Sequence, residues 1–324
     1  MPLDGLSGMF TLDQRTRDAT GVFLIGELER LDQTIHKPLV AVTWGRDIQV
    51  REDITIGDEV SSFTNSSFAA AGGINPNGIS WIGKDVNTIT GAALDIGKTP
   101  QPLYLWGMEL SYTQPELESA MRAGRPIDSQ KYEVIQLKHQ MDIDQLVYVG
   151  DTTIGTHGLF NHPSVINTGN VTGGAWSANI PTPDIISGQI NELLESTWAA
   201  SAWAVMPDQL RVPPVQFGIL VSTKVSTAGN ISLLRFIQEN SLCNTQNGRP
   251  LNIQPAKWLN GAGAAGAQRM MCYTNDYERV RYPLTPLQRT PLEWRSLYNL
   301  TTYYGRLGVL EVVYPNTLGY RDGI

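Results

Sequence analysis

Residues 128–151, DSQKYEVIQLKHQMDIDQLVYVGD, decide the fold. Val134, Leu137, Met141 and Tyr148 recur at helical spacing, with Lys131, Glu133, Lys138, Asp142 and Asp144 spread around the remainder. Thr113 followed three residues on by Glu116 forms a capping box, and Pro115 is tolerated in a first helical turn. Leu117, Ala120 and Met121 would face inward, and Gly124 would interrupt the helix. Residues 114–146 therefore predict one long or slightly broken helix that organises its surroundings. A short strand is expected over 146–149.

Upstream the signal changes. Apolar, ordered sequence begins at residues 103–106, and residues 51–100 carry seven glycines, Gly57 to Gly97, among many Ser, Thr and Asn. A segment so poor in large apolar residues cannot bury a core of its own. It predicts an extended excursion, a β-hairpin that needs a partner surface. Residues 39–56 alternate apolar and polar as strand does. Residues 1–20 read as an irregular arm, followed by an amphipathic stretch with Leu24, Ile25, Leu28 and Leu31, which ends before Pro38.

Downstream lies a turn-rich stretch, 150–174, then a helix over 183–205 with Ile186, Ile190, Leu193, Leu194 and Trp198 on its apolar side. Residues 217–221 predict a buried strand, 232–240 a helix, 270–274 a strand and 307–314 the last strand. Helices and strands mix without βαβ alternation, so the expected class is α+β.

Composition narrows the function. The chain has 324 residues, 17% charged and 41% hydrophobic, with a net charge of −7. No basic tract exists to neutralise phosphates, which argues against a sequence-independent DNA binder. So few charges imply that much surface is covered in an assembly. The longest apolar runs fall short of the ~20 residues of a membrane helix, so no membrane partner is expected. Cys243 and Cys272 have no metal-ligand spacing and predict buried free thiols.

Catalytic motifs are sparse. Gly261, Gly263 and Gly266 make a formal GxGxxG, which a dinucleotide-dependent enzyme would need between a strand and a helix. Here strand-like residues 269–273 follow it, so a loop at a close backbone approach is the better reading. His36, His139, His157 and His162 match no zinc spacing. No catalytic, cofactor-binding or metal-ligating residue is assigned, no cofactor is expected, and the chain is read as not an enzyme.

Several stretches nevertheless resemble one family. They are Val149-Gly-Asp151 leading to Gly158-Leu-Phe-Asn161-His-Pro163, Leu233-Leu-Arg-Phe-Ile-Gln-Glu-Asn240, Gly261-Ala-Gly-Ala-Ala-Gly-Ala-Gln-Arg269-Met-Met-Cys-Tyr273 and Tyr320-Arg-Asp-Gly-Ile324. Their order resembles the major capsid proteins of tailed bacteriophages, the Hong Kong 97 fold that encapsulin shells share. The resemblance covers most of 100–324. It implies an N-terminal arm (1–36), a peripheral domain (37–50, 100–155 and a returning 286–324), an extended loop (51–99) and an axial domain (156–285).

The function so implied is self-assembly, as pentamers and hexamers, into an icosahedral head enclosing double-stranded DNA without sequence-specific contacts. The virion would be its location, after synthesis in the bacterial cytoplasm. An encapsulin-type compartment housing a cargo enzyme is the alternative. With Met1 leading and no acidic pre-segment, a separate scaffolding protein is expected, together with a portal and a decoration protein as further partners.

Overall fold

The computed structural model describes residues 38–69, 93–122, 127–176, 182–226 and 230–324. The arm 1–36, residues 70–92 of the extended loop and Gly124 lie outside the described residues.

The expected strand over 39–56 is broken. A single helical turn, α1 (Trp44–Asp47), precedes the short β1 (Gln49–Arg51). The glycine-rich segment forms the expected hairpin arms. β2 (Val60–Ala69) runs antiparallel to β3 (Ala93–Pro102) in unbroken register from Val60–Pro102 to Ala69–Ala93. β4 (Tyr104–Thr113) follows directly.

α2 (Gln114–Arg122) starts at the capping box, where Glu116 N–H donates to Thr113 Oγ1 (3.3 Å) and Thr113 N–H to the Glu116 carboxylate (3.4 Å). Met121, expected inward, is exposed. α3 (Ile127–Tyr148) is the long helix, but its buried side differs from the expected stripe. Ile135, His139, Ile143 and Val147, four apart, point into the protein, whereas Val134 is 62% exposed. The two stripes lie side by side on the helix, and periodicity does not choose between neighbouring apolar faces.

The strand expected over 146–149 is the helix's last turn. Helix α3 stops because Gly150 takes φ +78° and Asn161 intervenes, its Nδ2 donating to the Val149 carbonyl (2.7 Å). Asn161 Oδ1 also accepts from Gly158 N–H (2.7 Å). A Cβ on Gly158 would lie 2.3 Å from the Tyr148 carbonyl carbon, so only glycine lets this turn close on the helix end.

β5 (Ile166–Asn170) leads to α4 (Pro183–Ala200), then β6 (Gln209–Val212). Residues 217–221, expected as strand, lie in α5 (Pro214–Ser222). A short apolar run suits either element, and Pro214 at the first turn selects the helix. α6 (Leu233–Asn240) matches the expectation, with Ser232 as its N-cap, and α7 (Leu242–Asn247) follows. β7 (Asn252–Pro255), β8 (Arg269–Tyr273), β9 (Val280–Pro283), β10 (Gln288–Arg289), β11 (Glu293–Arg295), β12 (Tyr298–Leu307), β13 (Glu311–Val312) and β14 (Gly319–Asp322) complete the chain. The expected last strand, 307–314, thus divides between the end of β12 and β13, and a further strand follows.

These strands form four sheets among the described residues. β4 pairs along its whole length with β12, which also carries β10 and β11. β1, β9 and β13 form a three-stranded sheet, β2 and β3 the hairpin, and a five-stranded sheet runs β5-β14-β8-β6-β7. Residues 286–324, read together as a returning segment, therefore divide. β10 to β13 join β4 and β9, whereas β14 inserts between β5 and β8.

Two hydrophobic cores result. One joins the end of α3 (Ile143, Val147, Tyr148) to Tyr273, Tyr282 and Tyr320. The other packs α4 (Ile190, Leu193, Leu194) on Leu210, Ile253 and Met270.

A buried ionic centre joins α1, the end of α3, β6 and β8. Asp47 accepts from Arg211 Nε (3.0 Å), Arg46 Nε (2.7 Å) and the Tyr148 hydroxyl. Tyr273 Oη donates to its carbonyl (2.7 Å). Burial alone would raise the Asp47 carboxyl, but Arg46, Arg211 and Tyr148 hold it below the usual carboxylate range. Asp144, read from the sequence only as lying off the apolar stripe, is buried and accepts from Trp258 Nε1 (2.7 Å) and Thr43 N–H (2.8 Å).

Candidate assembly surfaces

The glycine loop shows why a dinucleotide reading of Gly261, Gly263 and Gly266 fails. Gly261 and Gly266 adopt φ +71° and +77°, and a Cβ on Gly263 would lie 2.9 Å from Asp322 Oδ1. The same carboxylate accepts from Ala264 N–H (3.2 Å) and from Arg269 Nε (2.6 Å). The amide a phosphate would use is thus already bound to a carboxylate, and β8, not a helix, follows. Burial would raise the Asp322 carboxyl, yet the bonds from Arg269, Asn167 and Ala264 hold it low. The loop is a close approach that fastens β14 to β8.

No group of three His, Cys, Asp or Glu among the described residues is placed to hold a metal. Cys243 and Cys272 are buried free thiols as expected, and burial pushes the Cys272 thiol up to about 12. His139 packs edge-on against Trp106, ring centroids 4.7 Å apart, with Nε2 unpartnered and its pKa lowered by burial. Burial, with His157 nearby, also lowers His162. His36 lies outside the described residues.

What the surface does carry is unburied apolar area. On β3, Leu94 and Ile96 are each 64% exposed. Two apart, they share one face of the hairpin, while Ser61 and Phe63 on β2, both buried, lie on the opposite face. The hairpin is thus two-faced: near its base one side is fixed to the body, and further out the other side offers apolar residues that nothing among the described residues covers. A second exposed group, Trp294, Leu297 and Tyr298, lies on and around β11 and the start of β12. A third is Val215 and Val221 on α5, which is apolar nearly all round, as helices are when something covers them. Sequence reasoning found the hairpin from its composition, but it did not single out these residues. Their signal was alternation (Leu94, Ile96) and surplus apolar residues in a short helix.

Comparison with known proteins gives this surface its context. The family model for the major capsid protein matches residues 78–324. Among solved structures, the capsid of Myoviridae phage XM1 is similar at TM-score 0.74 and 19% identity, over 92% of this chain and 98% of that one. The Gordonia phage Cozz structure is similar at TM-score 0.59 and 13% identity, over 99% and 98%. The holo-SrpI encapsulin complex of Synechococcus elongatus PCC 7942 follows at TM-score 0.52 and 13% identity, over 94% and 95%. At these identities the likeness is one of fold. No curated protein matches the sequence. With three quarters of its length matched, the chain belongs to the major capsid protein family, and it is a capsid shell protein of the Hong Kong 97-type α+β fold.

Proposed function

We propose that copies of this chain assemble as pentamers and hexamers into a closed icosahedral head around double-stranded DNA, and that the chain acts structurally rather than catalytically. The observation that carries this reading is the hairpin, whose Leu94–Ile96 face lies outside both cores and needs a neighbouring copy to cover it. Residues 51–99 are the extended loop that reaches the neighbour. Residues 156–285 with β14 supply the axial unit, and the α5 surface with Val215 and Val221 faces other copies.

Many modest contacts per subunit then sum to a shell that opens only when several break together. A net charge of −7 per copy encloses DNA without holding it tightly, so packing requires an external motor acting through a portal. A separate scaffolding protein directs curvature, and a decoration protein is a further partner. The site of synthesis is the bacterial cytoplasm and the destination is the virion.

Electron microscopy and sedimentation of the purified protein, with and without its scaffolding protein, test this. Closed shells are expected. Small uniform oligomers under all conditions would overturn it, and shells that enclose a cargo enzyme instead of DNA would move the chain to the encapsulin-type reading.

A further inference from the structure

The hairpin's ladder hydrogen bonds fix its own register but not its direction, since a two-stranded ribbon twists and bends freely about its base. The structure supplies the missing constraint. Glu311 on β13 is fully buried, and both of its oxygens are engaged. Arg51 of β1 reaches Oε1 (3.1 Å), Arg281 of β9 reaches Oε2 (2.6 Å), and the Ser61 hydroxyl of β2 donates to Oε1. Arg51 also donates to Ser61 Oγ (3.0 Å) and to the Ser62 carbonyl (3.2 Å). Independently, Arg306 of β12 binds the Ile56 and Leu103 carbonyls (2.7 and 3.2 Å), pinning the chain just outside both ends of the hairpin.

The two groups of contacts do different things. Arg306 holds backbone at the feet of the hairpin and would tolerate rotation there. Glu311 is gripped from the two other strands of its sheet and cannot turn to follow Ser61, so Ser61 must come to it. Burying a carboxylate is costly, and an apolar residue of similar volume would often serve stability as well. Its presence at the root of a protruding ribbon is therefore a matter of geometry.

We propose that the Ser61–Glu311 contact positions the hairpin: with Arg51 and Arg281 it forms a buried socket that sets the angle at which β2 and β3 leave the body, and thereby where the Leu94–Ile96 face meets the next copy. The inference rests on the reading of the hairpin as a contact between copies.

The test uses Ser61→Ala, which removes the hydroxyl's bonds to Glu311 and Arg51, keeps the Arg51 bond to the Ser62 carbonyl and leaves Glu311 its two guanidinium partners, and Ser61→Thr, which keeps the hydroxyl. Amide hydrogen exchange on the free, folded subunit is read over 60–69 and 93–102, and particle diameters are read by electron microscopy after assembly. For Ser61→Ala the ladder amides next to the base should exchange roughly tenfold faster, the factor one such hydrogen bond is worth, with the thermal midpoint of the body unmoved. Its particles should spread over several diameters. Ser61→Thr should restore both exchange and diameter. Unchanged exchange in Ser61→Ala, or faster exchange with a normal diameter, would overturn the proposal. If the wild-type protein itself formed no particles, the contact reading would fall instead, and the exchange measurement would still decide the socket.

Discussion

β8 and β3 are both strands of this chain, but they use their apolar residues differently. All five positions of β8, Arg269 to Tyr273, are buried, and its side chains supply both cores. β3 leaves Leu94 and Ile96 in the open. One strand completes the fold of its own subunit, and the other holds apolar surface in reserve for a different molecule. Stability and assembly are therefore separable by mutation, and each prediction below presses on that separation.

The largest effect belongs to the centre between the cores. Asp47→Ala leaves Arg211 buried and unpaired, and should lower folded stability by about 3–5 kcal/mol in denaturant unfolding. A loss under about 1 kcal/mol would show that the body does not depend on this charge pair.

A smaller effect, with a pH signature, is expected at Asp322. Its carboxyl is held low when folded, so its contribution is complete above the unfolded carboxylate value of about 3.9 and fades as pH falls through the lower folded value. Asp322→Asn should cost roughly 2 kcal/mol at pH 7, the order of a charge-assisted bond to Arg269. The variant should also lose less than wild type on acidification below about pH 4. Thermal unfolding across pH 7 to about 2 checks both points. Parallel acid limbs in variant and wild type would remove Asp322 from the account.

The smallest change in stability accompanies the sharpest expected change in assembly. Leu94→Ser combined with Ile96→Ser should leave unfolding within about 0.5 kcal/mol of wild type, because neither residue is buried in the subunit. Shell formation, followed by light scattering and sedimentation, should fail. Normal shells would mean that this face of β3 is not covered by another copy.

How much of this could be read from the sequence depended on distance along the chain. The capping box Thr113/Glu116 and the helix expected over 232–240 are local, and both are where the spacing put them. The hairpin arms were legible because a glycine-rich stretch with few large apolar residues cannot bury a core of its own and has to be held against something else. The inward face of α3 was not, since Val134, Leu137 and Met141 compete with Ile135, Ile143 and Val147 on adjoining stripes. The buried charges were invisible for a different reason. Asp47 meets Arg211, Asp144 meets Thr43 and Glu311 meets Arg51 and Ser61 only after folding brings remote segments together. The run Gly158-Leu-Phe-Asn161 was noticed as part of a resemblance, but its physical cause, a clamp on the end of α3, appears only in three dimensions.

The β4–β12 pair carries a kinetic consequence. Thr113 faces Tyr298 and Tyr104 faces Leu307, so β4 must wait for β12 while everything between them is made. Closing so long an open loop would be slow in an unfolded chain. Here the second core, Ile324 apart, is made of residues that lie between the two strands, so it can condense from contacts nearer in sequence and draw the strands' ends together. The order of folding then follows the nesting of the segments. Mutations within the second core should slow completion of the β4–β12 layer that they never touch, so a subunit with a damaged interior would be late in becoming ready to join its neighbours.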